Sequence, residues 1–176
     1  MNKKISFSSD EECEDVKTLL NKGISLRMSG SPKHSILYFD KVLKIEPYHI
    51  VALTNKGNAL GRLGRYQDAI VCFDKVLKVN PKDVLALINK GLSYHYLRQY
   101  NDAISCYDKI LDISPHHANA LYHKACSNAL QNNTDEAINL LEQAISKDPT
   151  FRSKARRDLD FLTLKDNTRF KKLVAE

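Results

Sequence analysis

Apolar residues fall along this chain at helical spacing, and the same pattern returns at one fixed interval. Between Ile50 and Asp83, the residues Leu53, Leu60 and Leu63 mark one face of a first helix. Ala69, Ile70 and Phe73 mark a second, and Pro81 ends it, because proline lacks an N–H donor and disfavours helical geometry in the residue before it. The step from Pro47 to Pro81 is repeated to Pro115 and again to Pro149. Gly23, Gly57 and Gly91 keep that interval, and Ala125 fills the fourth slot. The pairs Ser35-Ile36, Ala69-Ile70, Ala103-Ile104 and Ala137-Ile138 recur in step, each followed one helical turn later by Phe39, Phe73, Tyr107 or Leu141. A period of roughly 34 residues is that of stacked helical hairpins, each of which buries its apolar face only against its neighbours. The pattern predicts an all-α solenoid of four helix-turn-helix repeats, 16–49, 50–83, 84–117 and 118–151, closed by a helical cap over 152–176.

The ends are read by the same rules. Residues 1–8 lack periodicity and are expected to be a flexible tail, leaving 9–176 as a single domain. Ser9 and Glu12 have the spacing of a capping box, which predicts a first helix running to Met28, longer than its counterparts. A glycine inside a helix costs roughly 1 kcal/mol relative to alanine, so Gly23, Gly57 and Gly91 imply a close approach of the second helix. The sequence assigns Ser35, Ala69 and Ala103 to that contact, and the bulky residues after them to the gap beside the neighbouring helix. In the cap, a helix over Arg152–Asp160 is expected to turn Ala155 and Leu159 inward. Phe161, Leu164, Phe170 and Leu173 then continue an apolar stripe around a turn at Asp166-Asn167.

These residues resemble the tetratricopeptide repeat. That family expects a large residue at repeat position 4, glycine at 8, alanine at 20, an aromatic at 24 and proline at 32. Here position 4 is Leu19, Leu53, Leu87 and Leu121, and the other slots are filled as described. Two departures stand out. Position 7 is always lysine (Lys22, Lys56, Lys90, Lys124), a form similar to archaeal members of the family. Position 27 is mostly larger than alanine: Val42, Val76 and Ile110, with Ala144 last. The lysines are expected to lay their stems along the interface with their heads in water.

Composition narrows the function classes. The chain has 176 residues and a net charge of +6, spread as −3 over positions 1–15, +5 over the repeats and +4 over positions 152–176. No long unbroken apolar stretch and no signal-peptide pattern appears, so a soluble cytoplasmic protein without membrane contact is expected. Cys13, Cys72, Cys106 and Cys126 form no C-x-x-C pair, and no metal site or cofactor is expected from them. There is no phosphate loop, no H-E-x-x-H and no nucleophile elbow, and the six histidines contain no i,i+4 pair. The sequence therefore predicts no enzyme and no catalytic residue.

The resemblance implies that the first helix of each repeat lines a concave groove. Positions 2, 5, 6, 9 and 13 then share the open face. Asn21, Asn55 and Asn89 form a column there, joined by Asn58, Arg62, Leu85, Tyr96, Asn119, Tyr122 and His123. An asparagine amide carries both donor and acceptor, which suits the backbone of an extended peptide, and the apolar neighbours supply burial. These ten residues are the expected peptide-binding groove of a non-catalytic interaction module or adaptor. Some family members hold the acidic tail of heat-shock chaperones in a carboxylate clamp. In the best register here Asn58 and Asn89 match its asparagines, while Thr54, Asn119 and His123 stand where it needs cations, so that partner is not implied.

Two other readings have sequence support. Arg152, Lys154, Arg156 and Arg157 offer a basic strip for nucleic acid or another polyanion, although the positive charge is otherwise dispersed. Tyr94, Tyr96 and Tyr100 offer a sticky surface for a self-assembling scaffold. A protein or peptide partner is expected, nucleic acid is not, and the chain should be a monomer or associate weakly with itself.

Overall fold

The computed structural model describes residues 14–175, which form helices and turns with no strand among them. Four hairpins follow one another: α1 Val16–Met28 with α2 Pro32–Ile45, α3 Ile50–Arg62 with α4 Tyr66–Val79, α5 Val84–Tyr96 with α6 Tyr100–Ile113, and α7 Ala118–Leu130 with α8 Thr134–Lys147. Each helix packs on the next in sequence, and consecutive first helices also touch one another. The first helices therefore lie on the inner, concave side.

Local sequence explains where each helix begins and ends. Asp15, His49, Asp83 and His117 cap the first helices, each accepting from the backbone N–H three positions on. The histidines accept through Nδ1, so only a ring unprotonated at that atom can cap. Every first helix closes in a Schellman turn, with N–H to C=O bonds from Ser31 to Leu26, Arg65 to Leu60, Gln99 to Tyr94 and Asn133 to Asn128. The turn needs a left-handed residue, supplied by Gly30, Gly64, Arg98 and Asn132 at φ of 82°, 74°, 60° and 63°. Second helices stop at the residue before their C-cap, and the C-cap precedes Pro47, Pro81, Pro115 or Pro149.

Helix α1 corrects one expectation. It starts at Val16 behind the extended N-cap Asp15 and has 13 residues, the same length as α3, α5 and α7. The capping box at Ser9 and the tail lie outside the described residues.

At each glycine the nearest side chain is an aromatic ring. A Cβ on Gly23, Gly57 or Gly91 would stand 2.6, 2.7 or 2.6 Å from the ring of Phe39, Phe73 or Tyr107. The aromatic of position 24 therefore lies on the bare backbone of its own hairpin. In repeat four the pair changes together: Ala125 replaces glycine, Leu141 replaces the ring, and both are fully buried. A methyl gained on one helix is matched by a slimmer side chain on the other.

Between hairpins runs a ladder of ion pairs. Lys56 reaches Asp40 at 2.5 Å, Lys90 reaches Asp74 at 2.6 Å and Lys124 reaches Asp108 at 2.7 Å, each bridging to the preceding repeat. Lys22 pairs with Glu14 ahead of α1, and Glu142 pairs with Arg169 in the cap. Burial pulls the Lys90 pKa down, but the hydrogen bond and charge of Asp74 outweigh it and the net displacement is upward. The lysine heads thus dock on acids rather than ending in water.

The cap is built from α9 Thr150–Arg157, a 3-10 helix Leu159–Leu164 and α10 Thr168–Ala175. Phe161, Leu164 and Phe170 are buried as the stripe predicts, and Ala155 is buried with them. Leu159 is instead 74% exposed. The α-helix stops at Arg157, and the tighter 3-10 turn after it rotates Leu159 outward and Phe161 inward.

Paired substitutions test the ring-on-glycine contact. Gly57→Ala alone should cost about 1–3 kcal/mol through overpacking, and Phe73→Leu alone about 1–2 kcal/mol through a cavity. The double variant, which copies repeat four, should recover much of the summed loss in urea unfolding; strict additivity would show that ring and glycine are not coupled. Arg98→Gly should raise stability by about 0.5–1 kcal/mol in the same assay, because it removes a left-handed non-glycine residue.

Candidate interaction groove

A groove of about 570 Å³ opens on the concave side between α3 and α5, reaching α1 at one end. Five of the expected residues converge on it: Asn58, Arg62, Leu85, Asn89 and Tyr96. Leu85 and Tyr96 are 55% and 62% exposed, large apolar surface for a water-facing wall. The Tyr96 ring stacks on Tyr66 at 4.9 Å and 13° between planes, which fixes an aromatic wall across two repeats. The side-chain amides of Asn58 and Asn89 make no hydrogen bond among the described residues, and both border the groove. Gly61 leaves the floor open, since a Cβ there would meet nothing within 4 Å.

The other expected residues lie elsewhere. Asn55 turns its amide back to Val51 O of its own helix at 2.8 Å, and Asn21 and Asn119 are exposed outside the groove. Tyr122 is a correction: instead of facing solvent, it is fully buried beneath the cap. Its ring stacks on Phe151 at 4.5 Å and meets Phe161 edge-on, while its hydroxyl donates to Asp158 Oδ2 at 2.6 Å. The 3-10 helix folds back over α7 and fills what would have been the fourth step of the groove. His123, half-buried, stacks on Tyr107 at 6.0 Å.

Beneath the cap a polar clasp joins three elements. His95 Nε2 of α5 lies 3.2 Å from Asp160 Oδ2, and its Nδ1 lies 3.3 Å from Ser127 Oγ. Cys126, Asp158 and Asp160 bring potential metal-ligand atoms within 4.8 Å of one another, a convergence that chain spacing alone did not suggest. Burial pushes the Cys126 thiol up, with Asp158 and Asp160 adding to it, so the sulfur is a protonated donor toward Asp160. Both carboxylates are engaged by Tyr122 and His95, which makes this a hydrogen-bonded lock for the cap. Cys72 and Cys106 are also buried free thiols whose pKa burial raises, consistent with packing roles.

The basic strip is largely used internally. Arg156 donates to Val174 O, Arg157 donates to Ser153 O, and Lys154 sits 4.3 Å above the Tyr122 ring. The Arg156 contact holds α9 to α10 and closes the cap.

Arg27 and Tyr66 belong to the groove without having been read from the sequence. Arg27 stands at repeat position 12, outside the helix face counted as open, and Tyr66 opens a second helix. The stack on Tyr96 brings Tyr66 over the groove, a contact with no local signature.

A run of hairpins with an inner wall of first helices defines a helical-repeat solenoid. Its sequence matches the tetratricopeptide repeat profile over residues 50–83 and again over 83–148. The chain belongs to the tetratricopeptide repeat family. Among solved structures it is similar to MamA of Desulfovibrio magneticus RS-1, at 25% identity, with 91% of this chain and 93% of that one covered and a TM-score of 0.75. It is also similar to a further MamA structure, at 20% identity over 91% and 86% of the two chains with a TM-score of 0.77. A third is TTC0263, a thermophilic protein of the same repeat type in Thermus thermophilus, at 18% identity over 92% and 89% with a TM-score of 0.72. No curated protein matches the sequence. Repeats of this family build protein–protein interaction modules and are generally non-catalytic. No helix among the described residues is long and apolar enough to cross a membrane.

The His123 ring supplies a pH test. Burial lowers its pKa from 6.5 to about 4, Lys154 and His95 push the same way, and Asp160 opposes them. Between those values the unfolded chain binds a proton that the folded protein refuses. This contribution is therefore absent above the window, and stability falls by on the order of 2 kcal/mol as pH drops through it. In urea titrations at about pH 7 and about pH 4.5, His123→Phe should lose clearly less stability than the parent across this interval. Equal losses would show that this imidazole is not the titrating group.

Proposed function

We propose that this protein is an adaptor whose concave groove grips a short segment of a partner protein. The observation that carries the reading is the pair of unused amides, Asn58 and Asn89, set beside exposed Leu85 and the Tyr66–Tyr96 wall. Amides that bond nothing among the described residues are free to pair with a peptide backbone. The apolar wall provides the desolvation that makes such bonds worth forming. The covering of α7 by the cap limits the grip to the first three hairpins, so a short segment suits the groove better than a long one.

Gly61 permits a direct test. Its side-chain space is empty, so Gly61→Phe should fill the groove while leaving the hairpin intact, and Gly61→Ala should leave stability unchanged or raise it by up to about 1 kcal/mol. For a partner isolated with the parent protein, Gly61→Phe should abolish binding and Asn58→Ala/Asn89→Ala should weaken it about tenfold or more. Circular dichroism serves to confirm that the variants are folded. Undiminished binding by the folded Gly61→Phe variant would place the interaction on another surface.

A further inference from the structure

We infer that the segment held in this groove carries an internal Asp or Glu side chain next to an aromatic or branched aliphatic residue. The inference rests on the groove reading and adds the chemistry of the partner. Arg27 of α1 and Arg62 of α3 border the groove, and none of the residues lining it is acidic. Neither guanidinium is paired with a carboxylate among the described residues. Arg62 donates one N–H to Arg27 O at 3.3 Å, and the Arg27 Nε is buried with no hydrogen-bond partner among the described residues.

Several other cations of this chain already hold an acid. Arg65 binds Asp68, Arg169 binds Glu142, and the position 7 lysines of repeats two to four each hold an acid of the ladder. In the groove, two cations from adjacent repeats border one opening without a carboxylate partner among the described residues, beside an apolar wall. A guanidinium in such a place gains most from a carboxylate, which accepts two N–H bonds in one plane. Leu85, Leu92 and the Tyr66–Tyr96 stack lie along the same groove, so the acid and an apolar side chain are read together. Among the described residues nothing closes the groove beyond α1, where Met28 is exposed. With Met28 open at that end, a peptide running past the arginines would meet them with a side-chain acid rather than a terminal carboxylate.

The test is a displayed library of random twelve-residue peptides, flanked on both sides by constant neutral sequence and selected on the full chain. The parent protein should enrich peptides with Asp or Glu adjacent to Phe, Tyr, Leu or Ile. Synthetic copies should lose about tenfold in affinity on Arg27→Gln or Arg62→Gln and weaken as salt rises. Gly61→Phe should bind none of them. Peptides that depend on Gly61 but show no acid enrichment, or that ignore both arginine substitutions, would overturn the acidic partner and leave the groove reading standing. Failure to obtain any peptide sensitive to Gly61→Phe would overturn both. Circular dichroism of each variant separates lost contacts from lost fold.

Discussion

An aromatic ring lying on bare helix backbone sets the distance between the two helices of a hairpin, and the rest of the architecture inherits that distance. In three repeats the ring of Phe39, Phe73 or Tyr107 rests where a glycine presents no side chain. The close approach draws the outer helix in and leaves the inner helix free to present its other face to the concave side. Leu85, Asn89 and Tyr96 are available there because Leu87 and Gly91 of the same helix are committed to the core. The core contact and the groove are thus two sides of one helix, separated by its helical period. Repeat four fills the same place with a different pair, Ala125 and Leu141, so the filled contact rather than the glycine is what the fold requires.

Stacking of one hairpin on the next has a second determinant. The lysine of position 7 and the aspartate of position 25 in the preceding repeat meet at each junction, with the lysine heads more enclosed than the acids. An exposed or half-exposed pair contributes little to stability, about 0.2–1 kcal/mol. Its value lies in register: a hairpin that slid along its neighbour would leave a half-buried ammonium without its acid. Apolar burial supplies the bulk of the attraction, while the ion pair selects among positions that burial alone would nearly equate.

Much of this was legible in the sequence, because repetition turns local signals into long-range ones. The regular return of proline, glycine and leucine locates the helices of all four hairpins and their turns without any appeal to distant contacts. The ring of Phe73 as the nearest neighbour of Gly57 was not legible, since alanine and phenylalanine on that face are both plausible neighbours of a glycine. The acid partners of the lysines were visible as Asp40, Asp74 and Asp108, each the same distance ahead of its lysine, but that interval joins two different repeats and has no meaning until the stack exists. Tyr122 and Leu159 were misplaced for a related reason. The cap occurs once, so no second copy reveals its pattern, and its 3-10 turn breaks the α-helical count. Of the ten expected groove residues, the five that converge all belong to α3 and α5, the helices that face one another across the opening. Asn55 shows why residue type was insufficient: its amide closes on its own helix, whereas Asn89 in the same slot does not.

The ladder of identical junctions has a consequence for the size of the molecule. Since Asp40–Lys56, Asp74–Lys90 and Asp108–Lys124 repeat one joint, each hairpin offers its successor the same seat that it occupied itself. Such a polymer carries no internal measure of its own length. Here the count is ended by Arg169, which takes the last acid, Glu142, and by Tyr122 turned under Phe161. A gene that duplicated the stretch from Ile50 to Asp83 would therefore need no new interface to accommodate the copy. The recognition surface could be lengthened one rung at a time, with the terminator carried along unchanged.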